Sequence, residues 1–325
     1  LDEPITDEIH INAWRLSRSV FAPRERTSDG RSFFDDDAVY ARACSADLSQ
    51  CRFERLLGPI ELKALEEAIL PRYEFLTKYI RVQMCRSGSP HLFSYADLEP
   101  WATDCSDLLD TNYSFEDIAD TWNYVKQTSI SATEEPDVMT RAEFLELLVR
   151  VSISKHAPQY ETSGGKFGYK GDSHVAGDAF DILCDVQLEM RIGDLRLPDP
   201  HEFRIRELYK PQVDLVLRRR LDILKLGFAS WSRDLHTALT YEEYYDMFIQ
   251  PATMSGKLQL SEESTRTAFG LAKMTSVDEK VIMLSDGHSH FSLQFTDFLE
   301  CIARLAKDNH LVCKNAESQA QKEER

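Results

Sequence analysis

The chain has 325 residues, a formal net charge of −17, and 42% hydrophobic and 29% charged side chains. That length accommodates two or three domains with real cores, and the balance, with only 13 Gly and 12 Pro, excludes a fibrous or disordered polymer. The acidity opposes unaided binding to nucleic acid or anionic lipid, because phosphate contacts need Lys and Arg.

No apolar run reaches the roughly 18 residues of a membrane span. The seven cysteines, Cys44, Cys51, Cys85, Cys105, Cys184, Cys301 and Cys313, are odd in number and scattered, with no CxxC. A zinc site or disulfide framework is not expected, and a reducing compartment is. The opening Leu1-Asp2-Glu3-Pro4 does not read as a signal peptide and lacks Met, so the expectation is a trimmed or incomplete N-terminus.

In chain order, residues 1–58 read as an irregular, extended arm carrying Pro4, Pro23, the acidic run Asp35-Asp36-Asp37 and scattered aromatics such as Trp14, Phe33 and Phe34. Helical spacing then sets in over 59–84 with Leu62, Leu65, Ile69, Tyr73, Leu76 and Ile80, and Pro71 is expected to bend or split that helix. Further helical patterns cover 115–127, 140–155, 175–192, 211–231, 241–250, 261–276 and 295–307. The four glycines within 158–174 mark a flexible connection, and Pro198 and Pro200 lie in a second connection over 193–205. The tail from 309 to 325 is polar. The resulting division is an arm at 1–58, a first lobe at 59–157, a linker at 158–206 with a helix near 175–192, a second lobe at 207–308, and the tail.

Two segments repeat. Met139-Thr140-Arg141-Ala142-Glu143-Phe144-Leu145-Glu146-Leu147-Leu148-Val149-Arg150 matches Leu293-Gln294-Phe295-Thr296-Asp297-Phe298-Leu299-Glu300-Cys301-Ile302-Ala303-Arg304 in its order of apolar, acid, Phe-Leu-Glu and Arg. Weaker copies are Leu239-Thr240-Tyr241-Glu242-Glu243-Tyr244 and Phe93-Ser94-Tyr95-Ala96-Asp97-Leu98.

This repeat resembles the EF-hand superfamily, in which a twelve-residue loop joins two helices. Position eight of such a loop is apolar and pairs with a neighbouring loop, and position twelve is acidic. Laid on this chain, position eight falls on Phe93, Met139, Leu239 and Leu293, and position twelve on Asp97, Glu143, Glu243 and Asp297. The loops become 86–97, 132–143, 232–243 and 286–297. The resemblance implies an all-α fold of two lobes, each a pair of helix-loop-helix units with a short loop–loop β bridge, plus the extended arm. An ordinary helical bundle with coincidental Phe-Leu-Glu runs is the alternative.

Calcium needs six to eight oxygens from loop positions 1, 3, 5, 7, 9 and 12, with Gly at 6. Arg86, Gly88 and Pro90 fail in the first loop, as do Ala132, Glu134 and Pro136 in the second. Ser232, Asp234 and His236 in the third, and Asp286, His288 and His290 in the fourth, support weak binding at best. His288 and His290 lack a third ligand nearby in sequence and read as loop histidines. The Gly-rich 163–171 stretch does not make a Walker loop, since Phe167 follows Gly165-Lys166. Cys44 and Cys51 read as idle thiols. No catalytic, metal or cofactor residue is therefore assigned, no enzymatic activity is expected, and the partner-binding residues stay open.

The order of the second lobe, with Phe203 to Leu217 leading into a long helix and Thr267 to Thr275 preceding the fourth loop, is similar to EF-hand-containing flagellar proteins of protists that decorate or line axonemal doublet microtubules. What that resemblance implies is a non-enzymatic structural or adaptor protein of a large cytoskeletal assembly in the cilium or flagellum. Its partners would be tubulin or other axonemal proteins, with neither nucleic acid nor membrane. Tubulin is acidic too, so contact would rest on shape, apolar anchors and basic patches such as Arg218-Arg219-Arg220, most comfortably at the luminal wall. The alternative is a calcium sensor, or a regulatory subunit of a larger complex.

Overall fold

The computed structural model describes residues 11–24, 33–128, 136–157, 175–188, 199–232, 238–255, 260–279 and 292–308. It is mostly helical, with two small two-stranded sheets. Its described residues fall into two compact units, one drawn from within Asp35–Asp199 and Thr275–His290, the other from within Leu1–Phe34, Pro200–Met274 and Phe291–Arg325.

The first unit opens with α1, Asp37–Gln50, where the Asp36 carboxylate caps the helix by accepting from the Val39 amide at 2.8 Å. α2, Pro59–Arg86, starts on a proline at its first turn and runs on through Pro71. The split expected at Pro71 does not occur. One lost amide donor is outweighed by burial of Leu65, Ile69, Tyr73, Leu76 and Ile80 on either side of it. The helix ends at Ser87, followed by Gly88 at φ +84°, the left-handed residue that turns the chain away. Then come strand β1, Phe93–Ser94, helix α3, Leu98–Asp104, and helix α4, Phe115–Thr128. Strand β2, Val138–Met139, leads into α5, Arg141–His156. Helix α6, Val175–Ile182, widens into a π-helical stretch, Leu183–Leu188.

α6 lies across α2 and α5. The approach to α2 is so close that a Cβ on Gly177 would stand 3.0 Å from the Ala64 carbonyl oxygen, which only glycine avoids. Phe180, Leu183 and Leu188 thereby join a core of Phe93, Trp101, Trp122, Met139, Phe144 and Leu148.

The second unit contains α7, Pro200–Phe203, which passes into a π-helical stretch, Arg204–Leu208. α8, Pro211–Arg219, and α9, Leu221–Trp231, are separated by a break at Arg220. Strand β3, Ala238–Thr240, leads into α10, Tyr241–Ser255. α11, Glu262–Ala272, begins on the Ser261 cap. Strand β4, Ser292–Gln294, leads into α12, Phe295–Asp308. The arm supplies two 3₁₀ turns, Leu16–Arg18 and Ala22–Arg24, whose Phe21 is fully buried beside Tyr209, with Phe33 joining the same core.

The two units are composed differently from the divisions read from sequence. Residues 1–58 are not one irregular arm: the described 11–24, with Phe33 and Phe34, belong to the unit of α7–α12, while 37–50 are helical in the other. The hydrophobic pattern of α1 is faint because its buried face includes Ala43, Cys44 and Asp47. The 158–206 linker also divides, since α6 is core to the first unit and Pro200–Leu208 belongs to the second. Residues 158–174, 189–198 and 309–325 lie outside the described set.

Both sheets are antiparallel. β1 pairs with β2 through Phe93↔Met139, and β3 with β4 through Leu239↔Leu293. The paired residues are the four apolar positions that the repeat aligned. All four are at most 1% exposed. Each pair therefore ties two helical hairpins at their cores.

Candidate functional site

The chemistry most concentrated in this chain sits at the loop–helix junctions and at the two buried ionic clusters beside them. At the start of α5, Thr140 and Glu143 form a reciprocal capping box. The Glu143 Oε2 accepts from the Thr140 amide at 2.9 Å and the hydroxyl at 3.2 Å, and Oε1 accepts from Lys126 Nζ at 3.1 Å. Lys126 also donates to the Val138 carbonyl at 2.7 Å. In the loop 132–143, Val138 is the seventh residue and Glu143 the twelfth. One ammonium at the end of α4 thus bridges the backbone oxygen and the carboxylate that a calcium ion would need.

The other junctions follow the same logic with different donors. Ser232 Oγ donates to the Ala238 carbonyl at 2.6 Å, and Glu243 accepts from the Thr240 amide at 2.9 Å while Thr240 Oγ1 accepts from the Glu243 amide at 3.2 Å. At the start of α12, Lys273 donates to the Ser292 carbonyl. Asp297 accepts from the Gln294 amide at 3.2 Å and from Arg24 Nη2 at 2.8 Å. In the first loop, Ser87 Oγ donates to Asp97 Oδ2 and accepts from the Ser94 amide, both at 2.7 Å. All four acids at position twelve are therefore engaged by protein donors. The ligand candidates Asp234, His236, Asp286, His288 and His290 lie outside the described residues. Among the described residues, no group of three or more His, Cys, Asp or Glu side chains is placed to hold a metal ion.

The ionic clusters flank these junctions. In the second unit, Glu300 on α12 is fully buried and faces Arg24 from the arm, Arg204 from the π-helical stretch after α7, and Arg304 one turn along its own helix. Arg204 Nε lies 2.9 Å from Glu300 Oε2, and Arg304 Nη2 lies 2.6 Å from Oε1. Burial alone would raise the Glu300 pKa, but the three guanidiniums outweigh it and hold the group at about 2. Arg24 and Arg204 also donate to the Ala272 carbonyl at 3.0 and 3.1 Å, satisfying the end of α11.

In the first unit, Asp47 of α1 receives Arg141 in a fork, Nε to Oδ2 at 2.6 Å and Nη2 to Oδ1 at 2.9 Å, and also the Tyr73 hydroxyl. Arg141 further donates to Glu279 at 2.8 Å and to the Ser276 carbonyl at 3.0 Å. Glu146, the counterpart of Glu300, accepts from Arg150 Nε at 2.8 Å and from the Arg52 amide at 3.0 Å. Each cluster joins a neighbour one turn along the same helix, Arg304 or Arg150, to partners from segments distant in sequence.

Cys44 and Cys51 line a cleft of about 390 Å³ with Leu48, Leu62 and Leu70. Burial, with Asp47 nearby, pushes the Cys44 thiol up to about 12, and burial pushes Cys51 up as well. Both are poor thiolate sources at neutral pH. Arg218 and Arg219 fall in the last turn of α8, and Arg220 at the break before α9. No described helix is long and apolar enough to cross a membrane.

Family models, curated proteins and solved structures return no match to this chain.

Proposed function

We propose that this chain is a non-enzymatic structural or adaptor protein, built from two lobes of degenerate EF-hand-like pairs whose loops are closed by the protein's own donors. The observation that carries the reading is Lys126, which bridges the Val138 carbonyl and Glu143 where the family seats an ion. Pairing of Phe93 with Met139 and Leu239 with Leu293 supports it, because these are the apolar loop positions that such lobes couple. A lobe held this way is a permanently shaped module, not an ion-operated switch.

The assembly we propose for it is the axonemal doublet microtubule of a cilium or flagellum, on the resemblance of the second lobe's order. A tagged copy expressed in a flagellated cell tests this. Retention on the axoneme after detergent extraction is the expected result, and a freely extracted pool counts against it. Calorimetry separates the sensor alternative, which requires micromolar calcium affinity.

A further inference from the structure

We propose that the outward face of α8 and α9 is a docking site for an acidic amphipathic helix of a partner protein; the inference rests on the adaptor reading above and names its contact surface.

The run from Pro211 to Trp231 has two apolar faces. One is spent on the core: Leu217 and Phe228 are buried, and Val213, Leu224 and Trp231 pack against them. A surface helix ordinarily shows polar residues on its other side. Here Val216, Ile223 and Leu226 stand there with 60%, 66% and 72% of their surfaces exposed. Val216 stands on α8 and Ile223 and Leu226 on α9, and the seven-residue spacing of Val216 and Ile223 matches that of the core-facing Leu217 and Leu224 across the break at Arg220. The stripe runs from the end of α8 into the first turns of α9, a surface suited to a few turns of a second helix.

Charge selects the occupant. Within 216–226 the chain carries Arg219, Arg220 and Lys225 against the single acid Asp222, besides Arg218, which is paired with Asp214 at 2.9 Å, in a protein whose total charge is −17. An aliphatic stripe bordered by cations complements a helix with an apolar face bordered by Glu or Asp. A second copy of this chain fits poorly. Two copies carry the same net charge of −17 and repel at long range.

The probe is a fluorescein-labelled synthetic helix of 18 residues with a leucine stripe flanked by Glu, titrated with the full chain and read by fluorescence anisotropy. Expected is saturable binding with a Kd on the order of 10 µM that weakens as salt rises. The double variant Ile223→Glu, Leu226→Glu should weaken it at least about tenfold, and a Lys-flanked peptide with the same leucines should bind about tenfold less well. These side chains are exposed, so the circular dichroism spectrum should match the parent. Should that variant misfold, Arg220→Glu with Lys225→Glu carries the same test through charge alone.

Absence of binding up to about 500 µM, equal affinity for the Lys-flanked peptide, or insensitivity to both double variants overturns the proposal. So does sedimentation of the parent as a dimer that Ile223→Glu dissociates, which assigns the face to a second copy. The cellular assay keeps the two readings apart. If the parent and the Ile223→Glu, Leu226→Glu variant are both retained on the axoneme, the surface is wrong and the adaptor role stands. If the parent is freely extracted while the peptide binds, the surface stands and the axonemal role falls.

Discussion

The helices α5 and α12 start from nearly the same sentence of residues and are finished by different neighbours. Each places a phenylalanine in its core, Phe144 at 0% exposure and Phe298 at 1%, and each sets a glutamate three residues from an acid at its own N-terminus. Around α5, the position-twelve acid Glu143 is answered by Lys126, a residue of the preceding helix, only 17 positions away. Around α12, Asp297 and Glu300 are answered by Arg24, which arrives from 273 and 276 positions upstream. The difference teaches that the repeated helix demands a cation near its start, and that the supplier is interchangeable. One lobe finds it locally, and the other recruits the arm.

The largest test of this comparison is at its common element. Phe144→Ala and Phe298→Ala should each cost about 3–5 kcal/mol, because each ring sits among aromatic neighbours and leaves a cavity. Phe144 packs at a tilt against Phe93 with ring centres 4.4 Å apart, and Phe298 lies 5.4 Å from Phe228. Urea unfolding should show similar losses in the two variants, and a negligible loss in either removes the claim of equivalent anchors.

Nearly as large is the removal of the long-range supplier. Arg24→Ala strips one of three guanidiniums from a fully buried carboxylate and should cost about 3–4 kcal/mol in the second unit. Fragment-specific hydrogen exchange would locate the loss on α12 and α11; a loss confined to the arm contradicts the reading.

Acid sharpens the contrast further. The Glu300 pKa lies at about 2 in the folded chain, against an ordinary 4.5. A carboxylate depressed on folding stabilises above its unfolded pKa, and that contribution is lost as pH falls through the folded value. About 3 kcal/mol, taken at about 1.4 kcal/mol per unit, should therefore disappear between roughly pH 4.5 and 2. Glu300→Gln should flatten that part of the stability profile, and an unaltered profile refutes the assignment.

The smallest effect belongs to the local supplier. Lys126→Met removes an ammonium that is 9% exposed from a glutamate that is 4% exposed, and should cost about 1–3 kcal/mol by thermal melting. The parent's melting temperature should not move between calcium and chelator. A large calcium-dependent shift in the parent would mean that an ion, not Lys126, holds these loops.

Much of the helical content was legible because apolar residues recur at helical spacing in α2, α5 and α12, and because Thr140 with Glu143 advertises a helix start. The pairing residues were legible from the repeat, in which Phe93, Met139, Leu239 and Leu293 occupy equivalent points. The rest was hidden by distance or by plainness. Asp47 and Cys44 in the buried face of α1 blur its pattern. Arg24 is one arginine in an arm without periodicity, and nothing local marks its partner as Glu300. Lys126 reads as an ordinary basic residue in the last turn of a helix, where it also favours the helix dipole. Only the fold reveals that its ammonium reaches Val138 and Glu143.

Lys126 gives the first unit a charge that is covalently part of the polypeptide. Such a charge has no dissociation rate, cannot be stripped by a chelator, and does not compete with magnesium. Its occupancy is complete from the moment the chain folds. The geometry of the junction that this ammonium closes is thus written in the sequence.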